Sequence, residues 1–400
     1  MRVLMLSQYL VGGGLERMVH LLGEELAKGH KCEVHLVAFD SIDDPILRAR
    51  LEAHGVHCYF WPKGKGFSWS LIRKLVSFVR KNRINVIHTH ESAPLIYGTM
   101  VRLFSLHPMR LIHTQHSFIH LRYRPFIRHY DRFFQWFSSR PTAVSAQVCE
   151  EYVQLGVPKG RVLLVPNGVE FPERALDPST RHMLREELVA ELTAGDDDQK
   201  AASLRLNEVL DARWFISVAR LHPQKGQDHL ISIWAKLDPT IRARSVLLLL
   251  GPETSPGHRK ELEALAAAGP DSHRIIFLGR SRTPTRWLQA SDVFLSGSEY
   301  EGMPLAPIEA GGAGVPLVLS NIQGHHVLIG KARFFPFADP VLGACALEEE
   351  LKALENGASN RRLETIATEI RARHSGAAMA DTYMGLYNGN SPRAQGQPQT

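Results

Sequence analysis

The sequence predicts an α/β protein built of two similar halves. Three observations carry that reading. Short apolar runs alternate with amphipathic stretches along most of the 400 residues, the pattern of strands and helices taking turns. The alternation breaks between about Arg174 and Ala212, where charged residues and Gly195-Asp196-Asp197-Asp198 replace it, and then resumes. A chain of 400 residues is long enough for two full cores.

The elements follow in order. Val3 to Ser7 reads as a buried strand, and Glu16 to Lys28 as a helix stopped by Gly29. Cys32 to Phe39 is a second strand. Ser70 to Arg83 is a basic amphipathic helix that feeds a strand at Val86 to His88. Leu111 to Gln115, Ala143 to Ser145 and Val162 to Pro166 are further strands, and the chain leaves its first half at Pro166-Asn167-Gly168-Val169. The next segment reads as a linker with one or two helices and a loose loop. The second series has strands at Trp214 to Ala219, Ser245 to Leu250, Ile275 to Leu278, Asp292 to Leu295 and Pro316 to Leu319. Helices lie between them at Asp228 to Lys236 and Glu261 to Ala268, and Met379 to Tyr387 is the last helix. The tail is polar, rich in Gly, Pro and Gln, and is expected to be disordered. Paired halves of this kind place a ligand between them, beside the carboxyl ends of the strands.

Composition narrows the classes. Hydrophobic residues make up 44% and charged residues 22%, as in ordinary globular proteins. No apolar run reaches the length of a bilayer span. The first residues lack a signal-peptide cleavage site, and Gly12-Gly13-Gly14 interrupts them early. Cys32, Cys58, Cys149 and Cys345 are scattered, which argues for a reducing compartment and against structural zinc. A net charge of +6 leans toward anionic partners, and no nucleic-acid motif accompanies it.

The most informative text is Ser298-Glu299-Tyr300-Glu301-Gly302-Met303-Pro304-Leu305-Ala306-Pro307-Ile308-Glu309-Ala310-Gly311-Gly312. It reads as a tight turn after a buried strand, then a helix, with Pro304 or Pro307 suited to the first turn. Glu301 sits on the turn and Glu309 in the early helix. A helix N-terminus offers free N–H groups and a positive dipole end to a phosphate. Carboxylates beside it suit hydroxyls. The arrangement fits a sugar nucleotide.

These residues resemble the E-x7-E signature of the retaining glycosyltransferases of family 4, which have the GT-B fold of two Rossmann-like domains facing each other across a cleft. Other motifs fall in the family's order. Val218-Ala219-Arg220-Leu221-His222-Pro223-Gln224-Lys225-Gly226 is similar to the start of the family's second domain. Gly12-Gly13-Gly14 is similar to its N-terminal glycine loop, though a plain flexible turn fits those glycines equally. Leu111-Ile112-His113-Thr114-Gln115-His116 places His116 where the family has a histidine near the transferred sugar. His88-Thr89-His90 also looks like family strand-end text bordering the cleft. His325-His326 departs from it, since relatives often carry a glutamate there.

The resemblance implies roles. Arg220 and Lys225 would stabilise the leaving diphosphate as its charge grows, since no Asp-x-Asp and no evident metal site is present. Backbone groups of Gly302, Met303, Pro304 and Leu305 would help hold it, with Gly13 and Gly14 facing the donor. Glu309 would bind the ribose hydroxyls and Glu301 those of the sugar, with His116 contacting sugar or oxyanion. The implied reaction is metal-independent transfer, with retention, from a UDP- or GDP-sugar to a glycan or lipid-linked acceptor in envelope polysaccharide or glycolipid synthesis, without a cofactor. The expected domains are residues 1–172, a linker or insert at 173–212, a donor domain at 213–375, a helix at 376–388 returning to the first domain, and a tail at 389–400. A nucleotide-sugar epimerase or phosphorylase on the same fold, or a non-catalytic glycan- or nucleotide-binding subunit, are the alternatives. Acceptor-dependent release of nucleoside diphosphate separates them.

The segment from Phe118 to Arg140 carries two stripes on a helix starting near Pro125. One is Arg124, Arg128 and Arg132; the other is Phe126, Tyr130, Phe133 and Phe137. Either the aromatic stripe is a core face and the arginines are solvated, or the segment docks an acceptor or an anionic membrane surface. The expected location is cytoplasmic, with peripheral attachment to the inner membrane face under the second reading.

Overall fold

The structure is a computed structural model that describes residues 1–9, 14–40, 45–118, 128–138, 140–172, 176–195, 197–356 and 359–390. Gly13, Arg124 and most of the expected tail therefore lie outside the described residues. The chain divides into two compact units. One is Met1–Glu170 with Arg373–Thr400; the other is Phe171–Ala372.

The first unit is built on a seven-stranded sheet. Its strands are β1 (Arg2–Ser7), β2 (Glu33–Ala38), β3 (Val56–Phe60), β4 (Val86–His90), β5 (Arg110–Gln115), β6 (Arg140–Ala143) and β7 (Leu163–Leu164). The order is β3-β2-β1-β4-β5-β6-β7, and every pair is parallel. Parallel strands need crossovers, and helices on both faces bury them. On one face, helix Gly14–Lys28 sets Met18, Val19, Leu22 and Leu26 against Val3, Met5 and Val34. On the other, helices Trp69–Lys81 and Ser92–Ser105 cover Leu4, Leu6 and Ile87 with Leu71, Leu75, Val79 and Leu95. Strand order reverses between β1 and β4, which makes that edge the switch point where such sheets bind ligands.

The last helix, Gly376–Asn388, belongs to this first unit. The Ser375 side chain caps it by accepting from Ala378 N–H. Met379, Ala380, Tyr383, Leu386 and Tyr387 join the core. Its hydroxyls end in a fully buried polar chain. Tyr387 meets His88 Nδ1 at 2.7 Å, His88 Nε2 meets Thr114 Oγ1 at 2.7 Å, and Thr114 also pairs with Tyr383 and Thr142. Every member has a partner, so the chain fixes the helix on the sheet without an unpaired buried group. Burial pushes the Tyr383 phenol up to about 12 and His88 well below the usual histidine range, so both stay neutral.

The second unit has a six-stranded parallel sheet, order β10-β9-β8-β11-β12-β13. The strands are β8 (Arg213–Val218), β9 (Ser245–Leu250), β10 (Ile275–Gly279), β11 (Val293–Ser296), β12 (Leu317–Ser320) and β13 (Arg333–Phe335). β9, Ser-Val-Leu-Leu-Leu-Leu, is buried along its whole length, as a strand covered on both faces must be. The switch point here lies between β8 and β11.

The segment expected as a linker is part of this second unit. Asp177 caps helix Pro178–Leu192, and helix Asp197–Asn207 follows. Arg185 anchors the pair. Its guanidinium donates to the carbonyls of Ala290, Leu210 and Ala212 and to Asp292 Oδ2, and it stacks over Trp214. Helix Arg128–Gln135 departs from the core-face reading. Tyr130 is 62% and Phe133 58% exposed, whereas Gln135 is buried. No helix among the described residues is long and apolar enough to cross a membrane.

Candidate functional site

In the second unit the switch point brings three loops together. After β8 the chain passes exposed Arg220 and makes a short turn, Pro223–Lys225. His222 caps that turn, its Nδ1 accepting from Gln224 N–H at 3.2 Å. Gly226 closes it with φ 61°, and a Cβ there would stand 2.0 Å from the Gly297 carbonyl. Only glycine permits both the left-handed turn and this approach to the loop after β11. The two loops are then joined by hydrogen bonds. Gln224 Nε2 donates to the Tyr300 carbonyl at 2.9 Å, and Glu299 N–H to the Gln224 carbonyl at 2.9 Å.

This joining delivers Lys225 to Glu301. The ammonium sits 2.7 and 2.8 Å from the two carboxylate oxygens, with side chains 15% and 14% exposed. Ser298 Oγ donates to Oε1 of the same carboxylate at 2.8 Å. Behind it, Ser320 Oγ donates to the Ser298 carbonyl, and His325 Nδ1 lies 2.8 Å from the Ser320 carbonyl. Burial works to raise the Glu301 pKa. The Lys225 ammonium, then His325, and the hydrogen bonds from Lys225 and Ser298 outweigh it, so the group is held below its ordinary value. Glu301 is therefore an ionised acceptor with three of its lone-pair positions engaged among the described residues.

The helix that follows is Leu305–Gly312, with Pro304 just before it and Pro307 in its first turn. Glu309 lies one turn in and is 4% exposed. Met303 and Pro304 are buried, and Gly302 and Leu305 half-buried. Pro304 has no N–H, so its part in anion binding is confined to shaping the turn. Among the described residues, no group of three or more His, Cys, Asp or Glu side chains is arranged to hold a metal ion.

In the first unit, Gly14 is the first residue of helix Gly14–Lys28. His116 follows β5 and is 8% exposed. Burial first, and His113 second, bring its pKa down to about 3, so it acts as a neutral hydrogen-bonding group. Its Nε2 lies 3.4 Å from Nδ1 of His90, the last residue of β4. Sequence reading missed Ser298, Ser320 and the burial of His325. Each serine follows or ends a short buried strand, which was the available signal.

The family model described as Glycosyltransferase Family 4 matches residues 12–171, and the one described as Glycosyl transferases group 1 matches residues 198–364. The chain belongs to glycosyltransferase family 4. Its two parallel α/β units are the GT-B fold. This family 4 chain is 24% identical over 270 residues to the Escherichia coli UDP-Gal:alpha-D-GlcNAc-diphosphoundecaprenol alpha-1,3-galactosyltransferase, covering 64% of this chain and 62% of that one. The chain thus spans less than two thirds of that relative's length. It is 24% identical over 339 residues to the putative glycosyltransferase EpsF of Bacillus subtilis, covering 80% and 79%. Anabaena Alr3699/HepE, solved in complex with UDP and glucose, superposes with a TM-score of 0.79 at 17% identity, covering 97% of this chain and 100% of that one.

Proposed function

We propose that the protein is a retaining, metal-independent glycosyltransferase. It would move a sugar from a UDP- or GDP-sugar to a glycan or lipid-linked acceptor in polysaccharide or lipopolysaccharide synthesis. The observation that carries this reading is the Lys225–Glu301 pair at the β8/β11 switch point, next to the N-terminus of helix Leu305–Gly312. The names of the E. coli relative and of the Anabaena structure support UDP as the nucleotide, and the former supports a lipid-linked acceptor.

The chemistry follows from what each group offers. Glu301, fixed by Lys225 and Ser298, accepts a hydroxyl of the transferred sugar. The same ammonium, with Arg220, neutralises the diphosphate as the glycosidic bond breaks. Backbone N–H groups of Gly302, Met303 and Leu305 add to this at the helix end. Glu309 takes the ribose hydroxyls. The acceptor enters on the leaving-group side and a phosphate oxygen takes its proton. No pair of carboxylates about 5 Å apart is then needed, unlike in a retaining glycosidase. Transfer in EDTA, with the product's anomeric configuration read by NMR, tests the reaction class. An inverted product, or activity lost with EDTA, contradicts it.

Glu309→Ala is expected to weaken binding of the free nucleoside diphosphate by about one to two decades in Kd, the worth of a charge-assisted hydrogen bond. Calorimetric titration checks this, and an unchanged Kd removes Glu309 from the ribose.

The first unit presents a surface suited to transient membrane attachment. Helix Trp69–Lys81 exposes Arg73, Lys74, Arg80 and Lys81, and beside it Phe67, Trp69, Leu103, Phe104 and Leu106 are exposed. Trp69 meets Phe67 edge-to-face and Phe104 at a tilt, so these three rings adjoin. Each cation adds about 1 kcal/mol near an anionic leaflet, screened by salt. Co-sedimentation with anionic vesicles at low salt, lost at high salt and with neutral lipid, is the expected outcome. No binding at low salt leaves a soluble acceptor.

A further inference from the structure

His325 is fully buried, and a row of polar contacts runs from it to the Glu301 carboxylate. Its Nδ1 lies 2.8 Å from the Ser320 carbonyl, and its Nε2 lies 3.4 Å from Ser296 Oγ. Ser296 Oγ lies 3.2 Å from Ser298 Oγ, which donates to Glu301 Oε1 at 2.8 Å. Ser296, Ser298 and Ser320 are buried as well. Buried polar groups of this kind are held by one another, so the direction of each hydrogen in the row matters.

The backbone is shaped to bring the row together. His325 lies in the short turn Gln323–Leu328 that follows β12. A Cβ on its neighbour Gly324 would stand 2.2 Å from the Glu301 carbonyl oxygen and 2.8 Å from the Glu301 Cβ. Only glycine lets this turn lie so close against the loop that carries Glu301. Ser320 Oγ, donating to the Ser298 carbonyl at 2.7 Å, ties the end of β12 to the same loop.

With His325 neutral, the row is one hydrogen short. The Ser320 carbonyl only accepts, so Nδ1 carries the ring hydrogen. Ser320 Oγ, 3.3 Å from the same nitrogen, spends its own hydrogen on the Ser298 carbonyl and asks for the same tautomer. The ionised Glu301 carboxylate only accepts, so the Ser298 hydrogen is committed to it. Two contacts remain, Ser298 with Ser296 and Ser296 with His325, and the single Ser296 hydrogen must serve both. A second ring hydrogen, on Nε2, gives each contact its own. His325 then donates to Ser296, Ser296 to Ser298, and Ser298 to Glu301. The distances agree with the count. The two contacts with a hydrogen of their own are 2.8 Å long, and the two that share one are 3.2 and 3.4 Å.

We infer that His325 is a positioning residue for Glu301, and that it takes up a second proton from solvent when a nucleoside diphosphate engages Lys225. This rests on the diphosphate reading of Lys225 above. Several groups act on the ring. Burial, the largest influence, opposes the second proton, as do Lys225 on the loop after β8 and His326 on the same turn. The Glu301 carboxylate and the Ser320 carbonyl favour it. In the free protein the opposition prevails and holds His325 below its ordinary pKa. A diphosphate that offsets the Lys225 charge removes part of that opposition. The proton then aligns the Ser296 and Ser298 hydroxyls toward Glu301 while Lys225 is shared with the ligand. The carboxylate stays in place for the sugar hydroxyl.

The test uses the full chain with ring-¹⁵N-labelled histidine, UDP and GDP as probes, and the variants His325→Gln and His325→Phe. The Gln amide reaches the place of Nε2 and can donate to Ser296 at every pH; Phe offers no donor. By NMR, neutral His325 in the free wild type should carry its hydrogen on Nδ1. Whichever of UDP and GDP binds should move the His325 titration to higher pH. Turnover of the wild type should fall about tenfold as pH rises through that titration, the worth of one hydrogen bond to a charged group. His325→Gln should flatten the fall and keep most of the turnover. His325→Phe should lie about tenfold low in kcat across the range, with the Kd for the nucleotide nearly unchanged. Neutral His325 with its hydrogen on Nε2, a titration that the bound nucleotide leaves in place, or equal impairment of His325→Gln and His325→Phe overturns the proposal. The tautomer and titration results stand even where a variant fails to fold. If neither nucleotide binds, the diphosphate reading of Lys225 fails with the proton uptake that rests on it, and the tautomer in the free protein still decides whether the row exists.

Discussion

Lys225→Ala is expected to lose about 10²–10³ in turnover, the effect of removing one group that stabilises transition-state charge. It should also destabilise the second unit by about 3–5 kcal/mol, because Glu301 keeps its shielded carboxylate without its cation. The pH dependence gives the sign. In the wild type the Glu301 pKa is lowered, so its contribution is present above the carboxylate's unfolded pKa and fades as pH falls through the folded one. In the variant, burial acts without Lys225 and favours the protonated form. The stability gap between the two proteins should therefore narrow as pH drops below the carboxylate range. Arg220→Ala should lose similar turnover with little stability, since Arg220 is exposed. Denaturant unfolding across pH, with steady-state rates for both variants, checks the pair. Near-normal turnover in both removes the cations from the mechanism.

Arg185→Ala is expected to cost about 3–5 kcal/mol. The guanidinium is nearly enclosed, and its loss leaves three carbonyls and the Asp292 carboxylate short of a donor. Asp292 also accepts from Trp214 N–H at the start of β8, so the damage reaches the sheet. Helix Pro178–Leu192 should lose hydrogen-exchange protection together with the unit, not before it. A loss below about 1 kcal/mol, the range of ordinary surface substitutions, would mean that this segment is a detachable linker after all.

What the sequence disclosed and what it hid have physical reasons. Glu301, Glu309 and Lys225 were legible because their local text combines a buried strand, a turn and a helix start. Their pairing was not, since 76 residues separate Lys225 from Glu301 and only the fold of β8 beside β11 closes that distance. β3, Val-His-Cys-Tyr-Phe, escaped notice because it is an edge strand with a mixed apolar pattern. The helices at Pro178–Leu192 and Asp197–Asn207 were underrated because their apolar period is weak, although Asp177-Pro178-Ser179-Thr180 is a capping signal. On helix Arg128–Gln135 the spacing left a core face and a docking face equally legible, because helical periodicity shows that residues share a face and not what covers it; Tyr130 and Phe133 are exposed.

The central claim is that the loops after β8 and β11 bind a nucleoside diphosphate without a metal. Thermal unfolding in EDTA with UDP, GDP and ADP tests it most directly. At 100 times its Kd, one of these should stabilise the wild type by about 2.7 kcal/mol. Lys225→Ala and Glu309→Ala should show much less at the same concentration. No stabilisation by any of the three in EDTA, or equal stabilisation of wild type and both variants, would contradict the site.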